Sequence, residues 1–180
     1  KDIPLIHLSG KHGCCHVNFC ELFKNEDGKD YLRIEGYVAK WLFNCCQDQE
    51  KSFVLRIGRN RIPVQLKEYP FLPERNIFGE RQRYFYFQEE IPFEPKLDKD
   101  NTVKIRLAMQ IGDDIANLSI KYGKFIADTR ICKAAYQIYG RYVFVFNRKR
   151  IVIRKPDDIT KEHRKLERKC ISWLIRNKLT

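Results

Sequence analysis

No stretch of the 180 residues approaches the ~20 consecutive apolar residues that a membrane-crossing helix requires. Nor does a charged-then-apolar leader open the chain. Phosphate-cradling loops are missing too: the nine glycines stand singly at turns, so neither G-x-x-x-x-G-K nor G-x-G-x-x-G is present. No serine sits in an elbow-type motif. Three of the four histidines (His7, His12, His16) crowd into the first sixteen residues, and His163 falls on a basic segment that reads as surface. Acidic pairs occur at Glu89-Glu90 and Asp113-Asp114, at strand ends and turns where acids are ordinary. These absences leave no assignable catalytic residue and no cofactor site.

The seven cysteines (Cys14, Cys15, Cys20, Cys45, Cys46, Cys132, Cys170) are odd in number, and two pairs are adjacent, which suits bridging poorly. With no secretory leader, the expectation is reduced thiols in a cytoplasmic protein. Zinc needs Cys or His groups converging from C-x2-C or H-x3-H spacings. His12, Cys14, Cys15, His16, Cys20, Cys45 and Cys46 do not supply them, because neighbours on a strand point to opposite faces. Buried thiols are the reading preferred over a metal.

The chain does have a core's worth of apolar residues (43 %), and its 13 % aromatic content leans toward strand. Turn signals every 8–12 residues or so suggest an all-β sandwich or barrel. A strand from Cys14 to Phe23 precedes an Asp27-Gly28 turn, and Tyr31 to Phe43 reads as a long strand with a bulge at Gly36. Phe53, Leu55 and Ile57 alternate up to Gly58-Arg59-Asn60; Ile62, Val64 and Leu66 alternate back, with Pro63 marking an edge. Residues 69–81 form a loop. Tyr84 to Phe87 place aromatics on both faces of a buried strand that ends at Pro92 and Pro95. Val103, Ile105, Leu107, Met109 and Ile111 alternate strictly, and Gly112-Asp113-Asp114 turns into Ala116, Leu118 and Ile120. The closing hairpin is RYVFVF, Asn147-Arg148-Lys149, RIVIR.

Pro156-Asp157-Asp158 and Thr160 then offer helix N-caps. Leu166, Cys170, Trp173 and Leu174 form an apolar stripe widened by Ile171 and Ile175. The expected organisation is a mainly β fold, an immunoglobulin-like β-sandwich of antiparallel hairpins over 1–155, with one amphipathic basic helix over 156–180. That helix either docks on the sandwich or leads into a downstream domain, and Lys1 in place of Met adds to the expectation of a piece of a larger protein.

The formal net charge is +12, and from Gly140 onward thirteen Lys/Arg face four acids (Asp157, Asp158, Glu162, Glu167). A field so concentrated draws nucleic acid, anionic membrane or an acidic partner. The residues singled out for an anionic surface are Lys161, Arg164, Lys165, Arg168 and Lys169 on the helix, with Arg148, Lys149 and Arg150 at the hairpin turn. The rival partner is single-stranded nucleic acid, stacking on Tyr84 and Tyr86 beside Arg81, Arg83 and the Arg141/Arg148/Lys149/Arg150 hairpin.

The order of segments YLRIEGYVAKWLF, FVLRIGRNRIPVQL, YFYFQEEIPF, VKIRLAMQI, GRYVFVFNRKRIVIRK and HRKLERKCISWLIRNK resembles the N-terminal accessory β-module of the CDP-glycerol glycerophosphotransferase family. These are teichoic-acid polymerases and related bacterial cell-surface glycosyltransferases. The resemblance covers Tyr31 to Lys178 and leaves Lys1 to Phe23 unexplained. It implies a non-catalytic domain followed in the same polypeptide by a catalytic one, working at the inner face of the plasma membrane on a lipid-linked, polyanionic acceptor. None of that family's catalytic residues has a counterpart here.

Overall fold

The computed structural model describes residues 15–44, 49–68, 84–123, 130–131 and 134–178. Its strands are β1 (Cys15–Lys24), β2 (Asp30–Ala39), β3 (Lys51–Ile57), β4 (Asn60–Pro63), β5 (Tyr84–Pro92) and β6 (Thr102–Ile111). There follow β7 (Asp114–Asn117), β8 (Ile120–Tyr122), β9 (Arg130–Ile131), β10 (Ala134–Tyr139), β11 (Tyr142–Asn147), β12 (Arg150–Arg154) and the helix α1 (Ile159–Lys178). The fold is mainly β, in two sheets. One has the order β5-β2-β1-β8; the other runs β4-β3-β6-β12-β11-β10-β9, with β7 added to β6.

Both sheets turn their alternate apolar residues to one shared core. Cys15, Val17, Cys20, Leu32, Ile34 and Phe87 come from the smaller sheet; Phe53, Leu55, Ile105, Leu107, Met109, Phe144, Ile151 and Ile153 from the larger. The rings of Phe53 and Phe87 meet across the layers at 5.1 Å. Strand β6 buries Val103, Ile105, Leu107, Met109 and Ile111 as the period of two requires. Gly28, Gly58, Gly112 and Gly140 hold positive φ at the hairpin turns.

Several expectations shift. The long strand from Tyr31 stops at Ala39, and Lys40–Asn44 coil into a 3-10 turn that buries Leu42. The bulge expected at Gly36 lies on the partner strand: the β1–β2 register slips between Val17 and Phe19, which leaves Asn18 as the extra residue. Residues from Asp114 onward make two strands, not one. β7 folds back on β6, whereas β8 crosses to the other sheet and pairs parallel with β1, so not every pairing is antiparallel. β5 is an edge strand; only Phe87 of its four aromatics is buried, and Tyr84, Phe85 and Tyr86 are half-buried. Pro63 does sit on an edge strand, β4, opposite Val54. Residues 45–48 and 69–83, with Cys45, Cys46, Arg81 and Arg83 among them, lie outside the described residues.

The Oδ1 of Asp158 accepts a hydrogen bond from the Lys161 amide at 3.1 Å and caps α1. The helix lies over the outer face of the larger sheet. Arg154 of β12 donates to Glu162 at 3.1 Å, and the Lys169 ammonium stands 5.3 Å above the Tyr136 ring of β10. Val143, cross-strand from Arg154, is buried on this outer face without belonging to the core cluster. Contrary to the widened stripe, Ile171 and Ile175 are exposed (56 % and 53 %).

Candidate anion-binding surfaces

The helix cations gather around one hollow, and the hairpin cations are not among its lining. Lys161, Arg164, Lys165 and Arg168 are exposed and Lys169 is half-buried. All five line a hollow of about 630 Å³ together with Arg176. Asp158 is the acid on its rim among the described residues, and its carboxylate is engaged as the helix cap. Arg176 is held over Ser172, donating to its hydroxyl at 3.0 Å and to its carbonyl oxygen at 3.2 Å. Glu162 faces the sheet. The Arg154 guanidinium bonded to it holds its carboxyl below the usual range, outweighing burial, and Lys165 and Lys169 add to the effect.

Much of this arrangement runs against the helix's own electrostatics, which Glu162 offsets only in part. Lys161–Lys165, Arg164–Arg168 and Lys165–Lys169 are like-charged at i,i+4, each costing about 0.2–0.5 kcal/mol. Lys161 also lies in the first turn, at the positive end of the helix dipole.

At the hairpin, Arg148 and Lys149 are exposed at the turn tip. The Asn147 Oδ1 accepts from the amides of Lys149 and Arg150, both at 3.1 Å, and fixes the turn. The Arg148 carbonyl accepts from the Ile120 amide at 2.7 Å, which ties the turn to β8. Arg150 points away from its neighbours at the tip, onto the outer face of the larger sheet, and there it joins residues that sequence reading missed. Arg56 pairs directly with Arg61 on β4 and with Arg106 on β6. The β12–β6 register, Ile151 against Ile105, sets Arg150 beside Arg106 at the next step.

One row across four strands therefore reads Arg61, Arg56, Arg106, Arg150. Directly opposed like charges destabilise a sheet, and among the described residues no carboxylate pairs with any of the four. Arg56 donates to the Asn117 Oδ1 at 2.8 Å. Burial, then the neighbouring Arg150 and Arg56, lower the pKa of the Arg106 guanidinium. The signal was in the sequence: Arg56, Arg106 and Arg150 each occupy the polar phase of a strand whose other phase is core. Register, which sequence does not display, is what aligns them.

Of the proposed nucleic-acid surface, Arg81 and Arg83 lie outside the described residues, and the tyrosines and the hairpin turn belong to different sheets. Tyr84 and Tyr86 belong to the smaller sheet, packed with Tyr37 at 6.5 and 5.9 Å, and His16 meets Tyr84 edge-on at 5.3 Å. The Arg148–Arg150 turn belongs to the larger sheet. Of the proposed thiol cluster, Cys15 and Cys20 are buried in the core, and desolvation raises the pKa of the Cys20 thiol, with Glu21 adding to it. His16 points to the opposite face from Cys15; His12, Cys14 and Cys132 lie outside the described residues. No protein-family model, curated protein or solved structure matches the chain.

Proposed function

We propose that this chain is a non-catalytic, immunoglobulin-like β module of a larger glycosyl or glycerophosphate transferase of cell-surface polymer synthesis, and that α1 is the face it turns to an anionic membrane surface. The observation that carries the reading is the helix: like charges stacked at i,i+4 around one hollow, a repulsion that Glu162 in the first turn offsets only in part. Such a placement is stabilised by an external anion. The transferase part rests on the resemblance in segment order, which puts the module at the inner face of the plasma membrane ahead of a catalytic domain.

Cations near an anionic bilayer gain on the order of 1 kcal/mol each. Replacing Lys161, Lys165 and Arg168 by Glu should therefore cut co-sedimentation with phosphatidylserine-containing vesicles by roughly 100-fold or more, with neutral vesicles as the blank. Unchanged sedimentation would sink the membrane role. For the transferase role, an antibody raised against this chain should detect, in the source cell, a product several-fold larger than 21.6 kDa. A band at that mass removes the downstream catalytic domain from the reading.

A further inference from the structure

The helix is not the only cationic surface. We infer that the outer face of β4, β3, β6 and β12 is a binding site for a linear phosphate-bearing polyanion without bases, seated along the row Arg61–Arg56–Arg106–Arg150. This goes beyond the membrane role of α1 and does not depend on it.

The geometry is that of a track. Neighbouring strands are about 4.8 Å apart, so four guanidinium groups, one per strand, mark a line of roughly 14 Å perpendicular to the strands. A chain of anions crossing the strands meets each in turn. Arg56, Arg106 and Arg150 are half-buried, and Arg61 stands exposed on the edge strand where a longer ligand would enter. Guanidinium presents a planar fork that matches phosphate oxygens two at a time, which a row of lysines would not.

Among the described residues, the side chains flanking the row offer no stacking plane, and the acids that share a hollow with Lys104 and Arg106, Glu94 and Asp98, make no ion pair with the row. On the same face, Val54, Ala108 and Pro63 lie along the strands on one side, and Lys104 and Val152 on the other. Asp98 lies past Lys104 at the start of β6, and its oxygens accept from Thr102 and from the Asp100 amide. Single-stranded nucleic acid gains its affinity from bases laid on aromatic rings beside the cations, and no aromatic lies in this row or among these flanking positions. A phosphodiester or polyphosphate backbone alone fits what is there. A bilayer surface fits less well, because three of the four arginines are half-buried on the sheet face.

The test uses the full chain and two fluorescein-labelled probes of equal length, a propanediol-phosphate spacer oligomer and an oligothymidylate, followed by anisotropy over a salt series. The spacer oligomer should bind as tightly as the oligothymidylate, and its affinity should fall with salt at a log–log slope of about −3, as four phosphate contacts on a flexible strand require. Arg106→Gln and Arg150→Gln should each flatten the slope by about 0.7, while sedimentation with anionic vesicles is unchanged. The Lys161/Lys165/Arg168→Glu protein should keep most of its spacer binding.

Two results overturn the proposal. One is spacer binding that survives the Arg106→Gln/Arg150→Gln double variant but fails with the helix variant. The other is a preference of tenfold or more for oligothymidylate, which would assign the surface to nucleic acid. A folding defect is excluded by the thermal midpoint: relieving opposed like charges should leave it level or raise it.

Discussion

Gly36 stands opposite Val17 at the bulged end of β1. A Cβ there would come within 1.9 Å of the His16 carbonyl oxygen and 2.8 Å of the Phe87 ring. Both neighbours are fixed, one as backbone and the other as a fully buried side chain. Gly36→Ala should therefore cost about 3 kcal/mol or more, read as a fall in the urea midpoint with the slope preserved. Tyr139 is a milder case at the same scale. Its hydroxyl donates to Gln137 at 2.7 Å and reaches the Cys20 carbonyl oxygen at 3.2 Å, and Tyr139→Phe should cost about 1 kcal/mol. Burial, with Cys20 and Glu21 nearby, pushes its pKa from 10.0 up to about 12. The folded state thus keeps the proton longer than the unfolded chain. Stability from this group is complete below pH 10 and drains away as the pH climbs toward 12, a loss that Tyr139→Phe should remove from the alkaline limb of a pH–stability curve.

Between residues and the whole lie the elements, and the attachment of α1 is the one with a titratable joint. The folded-state pKa of Glu162 is depressed by Arg154, so its contribution is present above the ordinary carboxylate range and lost as the pH falls through its folded value. Hydrogen exchange in α1 should quicken, relative to β6, as the pH falls below the ordinary carboxylate range, and Glu162→Gln should bring the faster exchange to neutral pH with a loss of no more than about 1 kcal/mol. Sequence patterns revealed elements unevenly, for identifiable reasons. β6 was legible because its large apolar residues keep the period of two on the core face, and the β11–β12 hairpin because two apolar runs flank the Asn147-Arg148-Lys149 turn. α1 was legible from its Pro-Asp-Asp start and apolar spacing. The 3-10 turn at Lys40–Asn44 was not, since Trp41, Leu42 and Phe43 continue the apolar run of β2 and only tertiary packing selects Leu42 for burial. The split between β7 and β8 was hidden because Ala116, Leu118 and Ile120 keep one alternation while the chain changes sheets. The helix cations announced themselves as a cluster in sequence; the arginine row, drawn from positions 56, 61, 106 and 150, exists only through register.

For the molecule as a whole, an excess of +12 charges makes the folded state a repository of repulsion that salt should relieve. The separations that matter are short: about 5 Å between row arginines, and about 5–6 Å between i,i+4 cations on α1. The Debye length is ≈ 30 Å at 0.01 M salt but only ≈ 3 Å at 1 M, so raising NaCl over that range takes these contacts from unscreened to largely screened. A protein stabilised by its surface ion pairs would lose stability on the same change. Among the described residues the ion pairs are few and partly exposed, such as Lys24–Asp30 and Lys40–Glu68, and worth about 0–1 kcal/mol each. The thermal midpoint should accordingly rise with NaCl, by about 2–4 °C for each kcal/mol of repulsion removed in a chain of this length. The rise should shrink in the Arg106→Gln/Arg150→Gln protein and shrink further when Lys161, Lys165 and Arg168 are also neutralised. A midpoint that falls with salt, or a rise indifferent to both sets of substitutions, would mean that the cations are balanced elsewhere in the fold and that neither surface is held in wait for an anion.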